Sequence, residues 1–154
     1  TLTSSDASAD ETVIRSLYQQ LMEGWNAASG YAFAAPFEED GDLVGFDGTQ
    51  FKGHKEIAPF HQHLFDMFLK GSRLVGKVKS VRFLTSDVAI MHAIGGTVMA
   101  GQTNLEPERN SVQTLVAVKR GTKWHLAAFQ STRATYIGRP EESWKLTEEL
   151  RTLL

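Results

Sequence analysis

Residues 73–99 read RLVGKVKSVRFLTSDVAIMHAIGGTVM, and their period is that of strands rather than helices. The first half alternates up to a conflict: Lys77 and Lys79 share a parity with Val81 and Phe83. One extra residue in the ladder resolves it, so a β-bulge is expected near Ser80. Thr85-Ser86 then reads as a tight break, and the second half, Val88 to Val98, is apolar at both parities. In an antiparallel sheet that pattern requires cover on both faces. Helices are expected on one side and a partner subunit on the other. Downstream, two further strands are expected at about 110–120 and 123–135, turning at Gly121-Thr122. Gly101 to Arg109, with Pro107, reads as the longer loop between the pairs.

Upstream the period is 3.6. Val13, Ile14, Leu17, Tyr18, Leu21, Met22 and Trp25 form one stripe, with Ser8 and Glu11 at capping-box spacing ahead of it. A short helical piece is expected over Tyr31 to Phe37, then an acidic turn from Glu38 to Asp42. Leu43 to Lys52 reads as a hairpin around Asp47-Gly48, a pair suited to a type I′ turn. His54 to Lys70 reads as a second long helix, with Pro59 in its first turn and an apolar stripe of Ile57, Phe60, His61, Leu64, Phe65 and Phe68. A last helix opens at Arg139-Pro140-Glu141, with proline at its first position and acids in its first turn. Its apolar side is Trp144, Leu146, Leu150, Leu153 and Leu154.

Helices, a hairpin, another helix and then a run of long strands is an α+β order. The 154 residues fit one domain. The divisions expected are a flexible arm over 1–9, a domain over 10–137 and a C-terminal helical extension over 138–154. A net charge of −2 with scattered basic residues gives no footprint for nucleic acid or an anionic membrane. Without cysteine there is no disulfide, thiolate metal site or cysteine nucleophile, which suits a cytoplasmic protein. No stretch approaches the ~20 apolar residues of a membrane span, and the polar first ten residues do not read as a signal peptide.

The chain resembles the NTF2-like (cystatin-like) superfamily in its SnoaL-like branch. It is most similar there to the SgcJ/EcaC group associated with enediyne antibiotic biosynthesis. The segments that carry the resemblance are Ile14 to Tyr18 with Trp25-Asn26-Ala27, Phe33 to Phe37 with Asp40, and Leu43 to Thr49. Glu56 to His61, Val81 to Ala89, Gln113 to Val118 and Ala127 to Arg133 carry it further along the chain. The resemblance implies a cone-shaped half-barrel, with a curved, largely antiparallel sheet wrapped around N-terminal helices. It also implies a homodimer packed through the sheet, a pocket between sheet and helices, and a setting in polyketide-derived secondary metabolism. It names no settled reaction, and the sequence carries no dinucleotide fingerprint; no cofactor is expected.

Within such a pocket the candidates are few. His61 lies on an apolar helix stripe and reads either as a pocket base or as a core histidine bonded to a carbonyl. His92 lies mid-strand between Met91 and Ala93, facing either the pocket or a partner. His61 and His63 stand two apart on a helix, a poor chelate, so no metal is expected. Ketosteroid isomerase and the SnoaL-type cyclases use a buried carboxylate as base. The inward parities of the long strands carry none, and only Asp40 and Asp42 lie near an expected rim. Arg109, Asn110 and Thr114 on one strand, and Gln130 and Thr132 on the next, are expected to ring the cavity mouth. Trp25, Phe37, Phe46 and Phe65 are expected to supply its aromatic lining. Three functions stay open: an isomerase, cyclase or hydration-type catalyst acting on a polyketide or polyene, a carrier of such a molecule, or a scaffold docking on a polyketide synthase.

Overall fold

All four long strands form, close to their expected bounds: β3 Arg73–Thr85, β4 Val88–Val98, β5 Ser111–Arg120 and β6 Lys123–Arg133. They are preceded by α1 Ser4–Asn26, α2 Gly30–Ala34, β1 Phe37–Val44, β2 Gln50–Lys52 and α3 Gly53–Asp66, and followed by α4 Pro140–Arg151. The molecule is known from a computed structural model that describes residues 4–154. The strands join one open mixed sheet in the order β2-β1-β6-β5-β4-β3, in which only the β1–β6 pairing is parallel. α1, α2 and α3 pack on its inner face.

The expected bulge is present. Val78 pairs with Ala93 and Ser80 with His92, so Lys79 is the extra residue. Leu74 and Val78 pack inward before it, Val81 and Phe83 after it. The lysines on the far side meet Glu149 of α4, Lys77 at 2.9 Å and Lys79 alongside it.

Several expectations are corrected. The chain is helical from Ser4, so residues 4–9 belong to α1; residues 1–3 lie outside the described residues. Ser8 sits inside the helix, its carbonyl accepting from Thr12 Oγ1 at 3.1 Å. Two alanines and the acids Asp6, Asp10 and Glu11 favour an early start, by propensity and by the helix dipole. The short helix ends at Ala34, and Phe37 opens β1. Glu38 to Asp42 is strand rather than turn: Asp42 pairs with Lys52 on one side and Ala128 on the other. Its acids stay largely at the surface, while Phe37, Gly41 and Leu43 are buried. The β1–β2 loop runs from Gly45 to Thr49, closed by Gly45 N–H donating to Thr49 C=O at 2.9 Å. This is three residues longer than a two-residue type I′ turn, although Gly48 does take a left-handed φ of 92°. α3 starts at Gly53, which puts Pro59 in its interior rather than its first turn, and ends at Asp66.

The core splits in two. The inner cluster joins Ile14, Leu17, Leu21 and Ile57 to Met91, Leu115 and Leu126. The outer cluster, on the opposite face, joins Val75, Ile94 and Val98 to Leu146 and Leu150 of α4. The outer side of β4 is therefore covered from Ile94 to Val98 by the chain's own last helix. Trp144 and Leu154, placed on the apolar side by their spacing, are exposed. Among the described residues no helix is long and apolar enough to cross a membrane.

Candidate functional site

Between the inner sheet face and α1–α3 lies a cavity of about 360 Å³, in the range of small-molecule sites. Its walls are mostly apolar: Leu21, Met22 and Trp25 from α1, Phe33 from α2, Leu64 from α3, Leu74 from β3 and Phe129 from β6. Phe46 and Phe60, each about two-fifths exposed, stand at the opening.

His61 lines this cavity and is buried. Its ring stacks on Phe33 at 4.5 Å and meets Phe51 and Phe60 edge-on at 5.5 and 5.7 Å. Nδ1 lies 2.7 Å from the Ile57 carbonyl. A carbonyl only accepts, so Nδ1 carries the proton and Nε2 keeps its lone pair. The ring is bonded to a carbonyl one turn back, and it faces the cavity. Burial lowers its pKa below the usual imidazole value, against a smaller opposing effect of the Ile57 bond, so the ring is neutral at pH 7.

A second polar feature was not expected. Tyr18, read only as a core residue of the α1 stripe, is buried and lines the cavity. Its hydroxyl donates to Gln113 Oε1 at 2.6 Å and lies 3.1 Å from the Ile94 carbonyl. Gln113 Nε2 in turn donates to Ser111 Oγ at 3.0 Å. Burial pushes the Tyr18 phenol far above its ordinary value, so it remains a neutral donor. Gly76 and Gly95, paired across β3 and β4, make the room: a Cβ on either would come within 2.4 or 3.3 Å of the Tyr18 oxygen. Ser111 keeps its own hydroxyl proton for a ligand, because Gln113 occupies only an acceptor lone pair. The signal available in sequence was a tyrosine on an apolar helix face together with glycines in strands, which mark close approach.

Four of the expected site residues line the cavity: His61, Trp25, Phe46 and Arg109. Trp25 packs edge-on to Phe65 at 5.2 Å, and its indole N–H donates to Ser72 Oγ at 3.3 Å. The others fall elsewhere. Phe37 and Phe65 are core residues one layer behind the lining, packed on Phe33. Asn110 is buried beneath α4, donating to Thr147 Oγ1 at 2.9 Å. His92, Thr114 and Gln130 lie in one register row, with Thr132 one row on, on the outer face of the sheet. The parity on β5 and β6 is the reverse of the one expected, and Ser111, Gln113, Phe129 and Ser131 point inward instead. Asp40 and Asp42 are exposed on β1. The carboxylate in the cavity wall is Asp47, whose Oδ1 accepts from Thr49 N–H at 3.0 Å and Thr49 Oγ1 at 2.7 Å. Among the described residues no three His, Cys, Asp or Glu side chains are grouped to hold a metal ion.

No family model matches the chain, and no curated protein does. Solved structures do match. A domain of unknown function with a cystatin-like fold from Nostoc punctiforme is 36% identical, covering 99% of this chain and 98% of that one, with a TM-score of 0.81. A hexachlorocyclohexane dehydrochlorinase from Novosphingobium barchaimii is 14% identical over 86% of this chain and 91% of its own, with a TM-score of 0.73. An NTF2-like protein with a cystatin-like fold from Novosphingobium aromaticivorans is 14% identical over 89% and 90%, with a TM-score of 0.72. At that identity the last two share the fold alone.

Proposed function

Because the chain belongs to the cystatin-like-fold (NTF2-like) family of the Nostoc punctiforme domain, we propose that it encloses a small, mostly apolar organic molecule and shuttles one proton on it through His61. The observation that carries this is the neutral imidazole inside an aromatic-walled cavity, its tautomer fixed by Ile57.

The chemistry follows from what surrounds the ring. Nε2 takes a proton from a carbon next to a carbonyl; the C–H electron pair moves into the carbonyl, leaving an enolate oxygen. Ser111 O–H, backed by Gln113 and Tyr18, donates to that oxygen. The imidazolium so formed is faced by aromatic rings, Phe33 stacked on it, and no carboxylate is bonded to its Nδ1. Such a cation is short-lived, and the proton goes back to the ligand, at the same carbon or a conjugated one. Proton out and proton back at a conjugated carbon is an isomerisation; with a second carbonyl in reach the enolate carbon attacks it instead, the C=O π pair moves to oxygen, and that alkoxide takes the imidazolium proton. The dehydrochlorinase of the same fold is named for an elimination of HCl, a reaction that likewise takes a proton from carbon.

The resemblance to the SgcJ/EcaC group supports a polyketide or polyene intermediate of the enediyne type as the ligand, and a cytoplasmic biosynthetic setting. It also supports a homodimer paired through the outer sheet face, and docking on a polyketide synthase. The missing carboxylate behind His61 favours a second reading, a carrier that shelters the molecule unchanged.

The test is ligand deuteration. Conjugated polyenones and aromatic polyketides are screened by thermal shift, where a ligand at a hundred times its Kd adds about 2.7 kcal/mol. Each binder is then incubated in D2O and followed by mass spectrometry. Wild type is expected to introduce deuterium, and His61→Gln to bind without doing so. Binding with no deuterium from wild type makes the protein a carrier; no binding by any member overturns the ligand class.

A further inference from the structure

At the cavity mouth two guanidinium groups lie against one aromatic ring. The Arg109 carbon sits 5.5 Å from the Phe46 ring centroid and the Arg133 carbon 4.6 Å from it. The fold brings them together: Arg109 ends the Pro107–Arg109 turn just before β5, and Arg133 ends β6 in register with Ser111. Arg109 lines the cavity, is half-buried, and its Nε is shielded from solvent without an acceptor. The two charges are close enough to repel, Arg133 helping burial to lower the Arg109 pKa.

Neither cation has an ion-pair partner among the described residues. Arg15, Lys77, Lys79, Lys119, Arg120, Lys145 and Arg151 each have a carboxylate within 4 Å. Glu106 acts on Arg109 only at longer range. Asp47, on the same wall, is held by Thr49, and no arginine contributes to the lowering of its pKa. Two like charges over one ring, with an unsatisfied donor and no carboxylate, leave a place for an anion supplied from outside. Inward from them the wall combines the apolar Leu43, Phe51 and Phe129 with the uncharged polar Ser111, Gln113 and Ser131.

We propose that Arg109 and Arg133 on Phe46 form a carboxylate subsite, so that the cavity takes an apolar carboxylic acid with its head at the mouth and its body among the aromatic rings. The inference rests on the cavity being a ligand site, as proposed above, and names the ligand's chemical class. A carboxylate matches the planar fork of one guanidinium, and its negative charge relieves the repulsion between the two, taking their sum from +2 to +1.

The test uses N-phenyl-1-naphthylamine, a neutral fluorescent probe, displaced by decanoate or by methyl decanoate. The two competitors share an apolar body and differ in charge. Decanoate is expected to displace the probe from wild type at a concentration at least about tenfold lower than the ester, equivalent to about 1.4 kcal/mol. In Arg109→Gln the preference falls to within about twofold, and in Arg133→Gln it shrinks, while an unchanged circular-dichroism spectrum shows the fold intact. Equal displacement by acid and ester in wild type overturns the subsite and leaves the cavity reading standing. A preference that survives both substitutions overturns the assignment to these arginines. No binding of the probe or of either competitor up to millimolar concentration overturns the cavity reading and the subsite with it.

Discussion

His61 owes its chemistry to where its neighbours put its proton. The Ile57 carbonyl holds the Nδ1 hydrogen, and burial among Phe33, Phe51 and Phe60 disfavours a second one. Its folded pKa therefore lies below the unfolded value of 6.5. As pH falls through about 6.5 the unfolded chain takes up a proton that the folded chain refuses, so stability drops on the acid side. The urea midpoint of wild type is expected to fall between pH 7.5 and 5.5, and that of His61→Gln to fall less; an equal fall would mean the ring is not held neutral. Tyr18→Phe strands the Gln113 Oε1 and Ile94 acceptors in a buried place, with an expected loss of about 1–3 kcal/mol in urea unfolding. A loss under 0.5 kcal/mol, on the order of an exposed substitution, would show the network does not matter to the fold. His61 was legible in the sequence because a histidine on an apolar stripe has few explanations. The strand polars were not. Both faces of β5 and β6 mix uncharged polar with apolar residues: Ser111 and Gln113 face inward, Thr114 and Gln130 outward. Without a charged row to mark the solvent side, a period of two gives two equal answers. Phe129 was the available guide, since a large aromatic belongs on the cavity side, and Ser131 shares its parity.

Elements show a similar division between what spacing fixes and what packing decides. The bulge in β3 was legible because charged and apolar residues on one parity cannot both be satisfied, and only an extra residue separates them. The use of α4 was not, because an apolar stripe states that a helix is covered and not by what. In the structure it lies on the outer face of β3 and β4, away from the cavity, and Leu150 is fully buried there with Val75, Ile94 and Val98. Lys77 and Lys79 fasten the same helix through Glu149. Leu150→Ala is expected to cost about 2–5 kcal/mol in urea unfolding, the usual range for a buried leucine. Glu149→Gln should cost well under 1 kcal/mol, since its lysines are part-exposed and screened. The cavity lies on the other side of the sheet, so affinity for a cavity probe should be unchanged in both variants. A Leu150→Ala protein that is stable but has lost the probe would tie α4 to the site after all.

Across the whole molecule, α4 covers only part of the outer sheet face, and what it leaves open bears on the proposed pairing of two copies. The uncovered part holds three register rows: Val88 with Val118 and His125, Ile90 with Val116 and Ala128, and His92 with Thr114 and Gln130. Every one of these side chains is at least partly exposed in the single chain, and none is Asp, Glu, Lys or Arg. The centre of this face carries no fixed charge, with Arg82 and Asp42 standing at the β3 and β1 ends of the middle row, and a half-apolar centre with a charged edge resembles an interface more than an ordinary solvent face. In a two-fold pairing through it, each residue near the axis meets its own copy, so one substitution places two like charges together. Ile90→Glu is therefore expected to convert the proposed dimer to a monomer, read as a halved mass by sedimentation at about 20 μM (well above the Kd of a stable dimer). The cavity is lined from the opposite face, so the same variant should keep wild-type affinity for N-phenyl-1-naphthylamine. A wild-type protein that sediments as a monomer at that concentration removes the dimer, and with it any reason for β4 to be apolar on its open side beyond the reach of α4. A variant that becomes monomeric and also loses the probe would mean that the pairing shapes the cavity, with the sheet carrying strain from one face to the other.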